Sequence, residues 1–190
     1  MLTQRVPWYG HLPNRKRHRG VSLVDFLLYL TLAAVVAAGA VLAYNNIDNR
    51  QKRLATSQMV NEIYAAVSDL HRGGASYGTG SLVATLDAAK MIPSKGRRTA
   101  LDEGNTVISI NTPFGDNVLV TGAGNTFTIE IEEMTEANCL DLVTNYADQD
   151  AAESSLSGIT IGGATLTMPA TVADISGACD DSDDVVLTFR

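Results

Sequence analysis

The chain has 190 residues, 45% of them hydrophobic and 18% charged, which is enough for one compact domain with an appendage but not for two full domains. Its net charge of -7 is unevenly spread, because the first 20 residues carry Arg5, Arg15, Lys16, Arg17 and Arg19 and no acid. The remainder has nine basic against 21 acidic residues, a net charge of -12, which excludes nucleic acid as a partner because phosphate binding needs clustered Lys and Arg.

The first element is a membrane segment. Residues 26–47 form a run of 22 without a formal charge, about 33 Å of helix, long enough to cross a bilayer. With the basic residues on its N-terminal flank, residues before it stay in the cytoplasm and the bulk of the chain lies outside. Three readings compete: a cleaved secretory signal, for which Ala38-Gly39-Ala40 supplies small residues; a plain signal anchor; or a leader peptide followed by a retained transmembrane helix. The run is long for a signal, and Asp25 stands where a signal's apolar core begins. An acid at the head of a membrane helix costs up to ~3 kcal/mol near the bilayer centre, so it points to a partner, with placement among lipid headgroups as the plainer alternative.

Past the membrane the helix continues, since residues 46–70 contain neither Gly nor Pro and set Ile47, Leu54, Val60, Ile63, Tyr64, Val67 and Leu70 at helical spacing. His71 and Arg72 suit the negative end of the helix dipole and Gly73-Gly74 a C-terminal cap, which predicts a stop near residue 72 and a helix of about 50 residues. A second helix is predicted over residues 81–91, ended by Pro93. Strands are predicted over residues 107–110, 117–121 and 127–131, with Gly122-Ala123-Gly124 as a hairpin signal rather than a phosphate loop. Residues 135–146 read as a short helix carrying Cys139. Residues 159–161 and 164–168 read as a hairpin across Gly162-Gly163, and residues 185–189 as a closing strand. The predicted fold class is α+β: a long N-terminal helix, its first half membrane-spanning, packed on an antiparallel sheet.

Cys139 and Cys179 lie far downstream of a segment able to export them to an oxidising compartment, which predicts a disulfide; two buried thiols are the alternative if the domain is cytosolic.

Catalytic chemistry is sparse. Beyond residue 20 only His71 remains as a histidine, which removes most His-dependent triads and multi-histidine metal sites. Gly74-Ala75-Ser76-Tyr77-Gly78 matches G-x-S-x-G but follows a long helix instead of a strand, the wrong context for a nucleophile elbow. Asp180, Asp181, Asp183 and Asp184 form a charge run that lacks the glycine and distal glutamate of a calcium loop. No enzyme activity, no metal and no cofactor is predicted.

Arg19-Gly20 followed by Val21-Ser22-Leu23-Val24-Asp25-Phe26 and an apolar helix resembles the processing site of type IV prepilins. In that family a peptidase cuts after glycine and methylates the new N-terminus, and an acid, usually glutamate, stands just beyond. Here that acid is Asp25, one methylene shorter. A leader of 20 residues and a mature N-terminus other than phenylalanine resemble the type IVb class. Met91-Ile92-Pro93-Ser94, Asn111-Thr112-Pro113-Phe114-Gly115 and the late cysteine pair are similar to enterobacterial and conjugative thin-pilus pilins.

The resemblance implies a leader at residues 1–20, a transmembrane and filament-core helix at 21–47, its amphipathic continuation at 48–72, and a globular head with a C-terminal disulfide region at 73–190. It also implies cleavage between Gly20 and Val21, an ion pair between the new amine and Asp25 of a neighbour, and a homopolymer of identical subunits. Prepilin peptidase and pilus assembly machinery are the implied partners. The expected course is from the inner membrane to an extracellular filament serving adhesion or mating. A secretion-system pseudopilin, or a single-pass anchored binding domain that never polymerises, remain the alternatives.

Overall fold

The computed structural model describes residues 23–74, 76–102, 105–147, 155–179 and 184–190. They fall into two compact units, one ending at Asn45 and the other beginning at Asn46. One helix, α1 (Leu23–Leu70), contributes to both.

Within the first unit α1 is apolar on every side, and its side chains are exposed throughout. The hydroxyl of Thr31 donates to the Leu28 carbonyl at 2.9 Å, so it carries its own acceptor into an apolar medium.

In the second unit α1 presents Thr56, Met59, Val60, Ile63, Ala66 and Val67 as one buried face. The predicted stripe is right at Val60, Ile63 and Val67, whereas Ile47, Leu54 and Leu70 are exposed. Leu54 lies about 200° round the helix from Thr56, so the same rotation that seats one turns the other outward. The helix ends at Leu70, two residues short of the predicted stop. The His71 ring nitrogen Nδ1 lies 2.9 Å from the Val67 carbonyl, and Gly74 closes the turn at φ +73°.

Behind that face lies an eight-stranded antiparallel sheet. Its strands are β1 (Thr79–Ser81), β2 (Arg97–Asp102), β3 (Asn105–Asn111), β4 (Asn117–Ala123), β5 (Thr126–Ile131), β6 (Leu156–Ile161), β7 (Ala164–Thr165) and β8 (Val185–Phe189). The order is β2-β3-β4-β5-β8-β6-β7, and β1 pairs with the end of β4 that β3 does not reach. The late strand β8 is therefore interior: it pairs with β5 from Phe127↔Phe189 to Ile131↔Val185, and with β6 on its other side.

Alternation puts Phe127, Ile129, Ile131, Val185, Leu187 and Phe189 on the buried face, where each stabilises by about 1.5 to 3 kcal/mol relative to an exposed position. Tyr64 of α1 stacks on Phe189 and Phe127 at centroid distances of 5.0 and 6.0 Å, and Tyr77 meets Phe127 at 4.9 Å.

Among the described residues three short helices complete the head: α2 (Val83–Ala88), α3 (Glu136–Ala147) and α4 (Val172–Cys179). The second predicted helix forms over fewer residues, because Ser81 is taken into β1 and Lys90 turns left-handed at φ +57°. The hairpin across Gly162-Gly163 is present, both glycines having positive φ as a primed turn requires. Its second strand ends at Thr165 instead of reaching residue 168. Gly122 has a different role: the Tyr77 backbone lies against it, and a Cβ there would collide with the Tyr77 carbonyl oxygen.

Candidate assembly site

Asp25 stands in the first turn of the described α1, followed by a stretch whose most apolar 18-residue window has a mean hydropathy of 2.4 and no buried residue. Leu27, Leu30, Val35 and Val41 are all more than half exposed, in a region where no other part of the chain covers them among the described residues. An apolar helix without an inward face is stable only in lipid or against other apolar helices. The small residues Ala33, Ala34, Ala37, Ala38, Gly39 and Ala40 would let such helices approach closely. At Gly39 even an added Cβ would meet nothing within 4 Å. Helical geometry runs unbroken through Gly39. Gly20 and Val21 lie outside the described residues.

The predicted disulfide is formed. Cys139 of α3 and Cys179 of α4 are joined with their Cα atoms 5.9 Å apart, and both are buried. The bridge spans 40 positions, a closure that contributes about 4 kcal/mol in the chain-entropy model. Each bonded helix is held separately as well. In α3 the Tyr146 hydroxyl donates to Asn61 of α1 at 3.0 Å, and Arg53 of α1 donates to Asn138 at 3.3 Å. Burial around Tyr146 pushes its phenol up to about 12. In α4 a reciprocal cap forms: the Asp174 N–H donates to the Thr171 hydroxyl oxygen, and the Asp174 carboxylate accepts from the Thr171 N–H and hydroxyl. Those bonds hold the Asp174 carboxyl below its ordinary value. Thr171-x-x-Asp174 was the available sequence signal for α4, a helix that periodicity over eight residues does not reveal.

The residues that mimic catalytic motifs are occupied locally. The Ser76 hydroxyl donates to the Gly124 carbonyl at 2.9 Å and accepts from the Gly78 N–H at 3.1 Å, pinning a turn against the β4–β5 hairpin. His71 packs its ring on Tyr77 at 4.6 Å. Among the described residues no group of three or more His, Cys, Asp or Glu is placed to hold a metal ion. Asp180, Asp181 and Asp183 lie outside them.

An apolar helix of membrane length, and a head whose late cysteines staple two helices beside a sheet with its late strand inside, narrow the comparison to few protein classes. The family described as PilS N terminal matches residues 50–190. The chain belongs to that family, and it is a type IV pilin of the type IVb class.

This pilin is 25% identical over 185 residues to the major structural subunit of bundle-forming pilus from Escherichia coli O127:H6, covering 90% of this chain and 92% of that one. It is 27% identical over 131 residues to toxin coregulated pilin from Vibrio cholerae, covering 68% of this chain and 58% of the relative. Among solved structures, the type IVb pilin from Salmonella typhi matches with a TM-score of 0.53 at 20% identity, covering 71% of this chain and 96% of that one. A type IV pilin from Vibrio cholerae El Tor biotype matches with a TM-score of 0.50 at 14% identity, covering 73% and 98%. At those identities the structural likeness concerns the fold.

Proposed function

We propose that this pilin is the repeating subunit of a type IVb pilus, made as an inner-membrane precursor and moved by assembly machinery into an extracellular filament for adhesion or mating. The observation that carries the reading is the first unit of α1, apolar all round beyond Asp25 and uncovered by the other described residues. Such a surface is stable in two places, and the same helix uses both in turn: lipid before assembly, a bundle of identical helices afterwards. The Escherichia coli relative's role as a major structural subunit supports the homopolymer. The role is structural, without catalysis.

Prepilin peptidase cuts after Gly20, which removes a leader carrying five of the basic residues and leaves a positive amine on Val21. In the filament core that amine pairs with Asp25 of a neighbouring subunit. Losing one partner of such a buried pair costs on the order of 3 to 5 kcal/mol, so the pair fixes the register at which a subunit enters, while packing of the small-residue face supplies the attraction.

Two measurements test this. Mass analysis of the exported chain should find an N-terminus at Val21; a start at Val41, with the apolar helix gone, ends the reading. Asp25→Ala should still be cleaved yet yield at least about tenfold fewer filaments, since 1.4 kcal/mol already corresponds to a factor of ten. Filament yield equal to wild type would refute the pairing.

A further inference from the structure

Between Leu23 and Ala43 the apolar stretch of α1 carries two side-chain hydroxyls, on Tyr29 and Thr31. Thr31 is satisfied by the Leu28 carbonyl of its own helix. Tyr29 is not: it is 65% exposed, and its hydroxyl makes no hydrogen bond among the described residues. Asp25, one helical turn earlier, is likewise exposed and unbonded among them. In the precursor the Tyr29 ring lies about 6 Å deeper than Asp25, within reach of the membrane interface, where a phenol finds water or headgroups. In a dry bundle of helices it has no such partner, and a buried Tyr hydroxyl needs an acceptor.

The pairing proposed above supplies one. When the Val21 amine of one copy meets Asp25 of its neighbour, the two parallel helices are offset by four residues. The same offset sets Asp25 of the first copy level with Tyr29 of the neighbour, because residue 29 follows residue 25 by the same four positions. Asp25 and Tyr29 are only about 40° apart round the helix, so both point toward one side of it.

The chemistry favours the same contact. An ionised carboxylate has about four acceptor positions, and a buried ion pair is stable only when further donors satisfy those its partner leaves open. Asp25 is one methylene shorter than the glutamate usual in this family, so its carboxylate stays nearer its own helix and a donor must extend further to meet it. The phenol, at the end of a rigid ring, is the longer of the two donors in the stretch.

We propose that in the filament the Tyr29 hydroxyl of one copy donates to the Asp25 carboxylate of its neighbour, as the second hydrogen bond on an acid that also receives a Val21 amine. Each helix pair then uses the four-residue step twice, once for the amine and once for the phenol. The inference rests on the amine pairing above and adds a positioning residue to it.

The test uses the full-length precursor with machinery that assembles the wild type. Mass analysis confirms the Val21 N-terminus of each variant, and protease resistance confirms its head. Tyr29→Phe removes one oxygen and keeps the ring, and should give about tenfold fewer sheared filaments. Tyr44→Phe loses the same atom beyond the far end of the stretch and should stay within about twofold of wild type. On an Asp25→Ala chain the acceptor is gone, so adding Tyr29→Phe should lower yield by no more than about twofold further. Tyr29→Phe filaments as abundant as wild type, an equal loss in Tyr44→Phe, or a full tenfold further loss on Asp25→Ala each overturn the contact. Should Asp25→Ala give too few filaments to compare, the contrast between Tyr29→Phe and Tyr44→Phe decides alone. Asp25→Ala filaments as abundant as wild type sink the amine pairing and this contact with it, whereas wild-type yield from Tyr29→Phe removes the contact and leaves the pairing standing.

Discussion

The two stretches of α1 are both regular helix, yet their side chains obey different rules. From residue 46 onward the buried positions recur on one face, Thr56, Met59, Val60, Ile63, Ala66 and Val67, with charged residues such as Asp48, Lys52 and Glu62 elsewhere. Before residue 46 no face is set apart, and every described position is exposed. A helix with one apolar stripe states that its partner is the rest of its own chain; a helix apolar on all sides states that its partner is something else. The first kind contributes to the stability of a subunit, the second to what the subunit joins.

That contrast can be broken in several ways. Cys139→Ser should have the largest effect on the head, about 4 kcal/mol of stability, seen as rapid proteolysis of the oxidised protein's variant in detergent. The helicity of residues 23–45 should be unaffected by it. Proteolysis as slow as in wild type would mean that the α3–α4 staple adds nothing.

Next in size is a matched pair of truncations. Ile63→Ala, at a fully buried position, should cost about 3 kcal/mol in the thermal unfolding of the head. Leu30→Ala, in the exposed stretch, should leave that transition in place and lower filament yield. Equal effects of both on unfolding would erase the distinction between the stretches.

The smallest effect concerns pH. The Glu130 carboxyl is raised above its ordinary value, so the folded state favours its protonated form, and wild type carries a penalty once pH rises above that folded value. Glu130→Gln should therefore stabilise the head at pH 7, by under about 1 kcal/mol given the solvent screening of a partly exposed group. The advantage should fade as pH falls below the ordinary carboxylate range. A gain that persisted in acid would have another cause than charge.

Much of this was legible in the sequence because it is local. Asp25 ahead of an apolar run, the Gly-free and Pro-free stretch to Leu70, the glycine pair at 162–163 and the β-branched alternation of residues 185–189 each carry their signal within one element. What escaped was short, polar or distant in sequence. Strand β2 opens Arg97-Arg98-Thr99, a poor strand signature, because an outermost strand can face water where interior strands must be apolar. Strand β1 is three residues with glycine at its centre, held by pairing to Thr121–Ala123 that only the folded chain brings near. The stripe was overread at Ile47, Leu54 and Leu70 because apolar spacing alone does not say which turns of a long helix meet the sheet.

The position of β8 has a consequence for the order in which the head is completed. Phe127, on β5, and Leu156, on β6, both take Phe189 as their neighbour, and among the described residues β6 and β7 join the other strands through β8. Until residues 185–189 take their place, β5 and β6 are two unsealed margins. The head is thus finished by insertion, not by addition at a rim, so a chain without its late strand is left with a gap in the middle of its sheet.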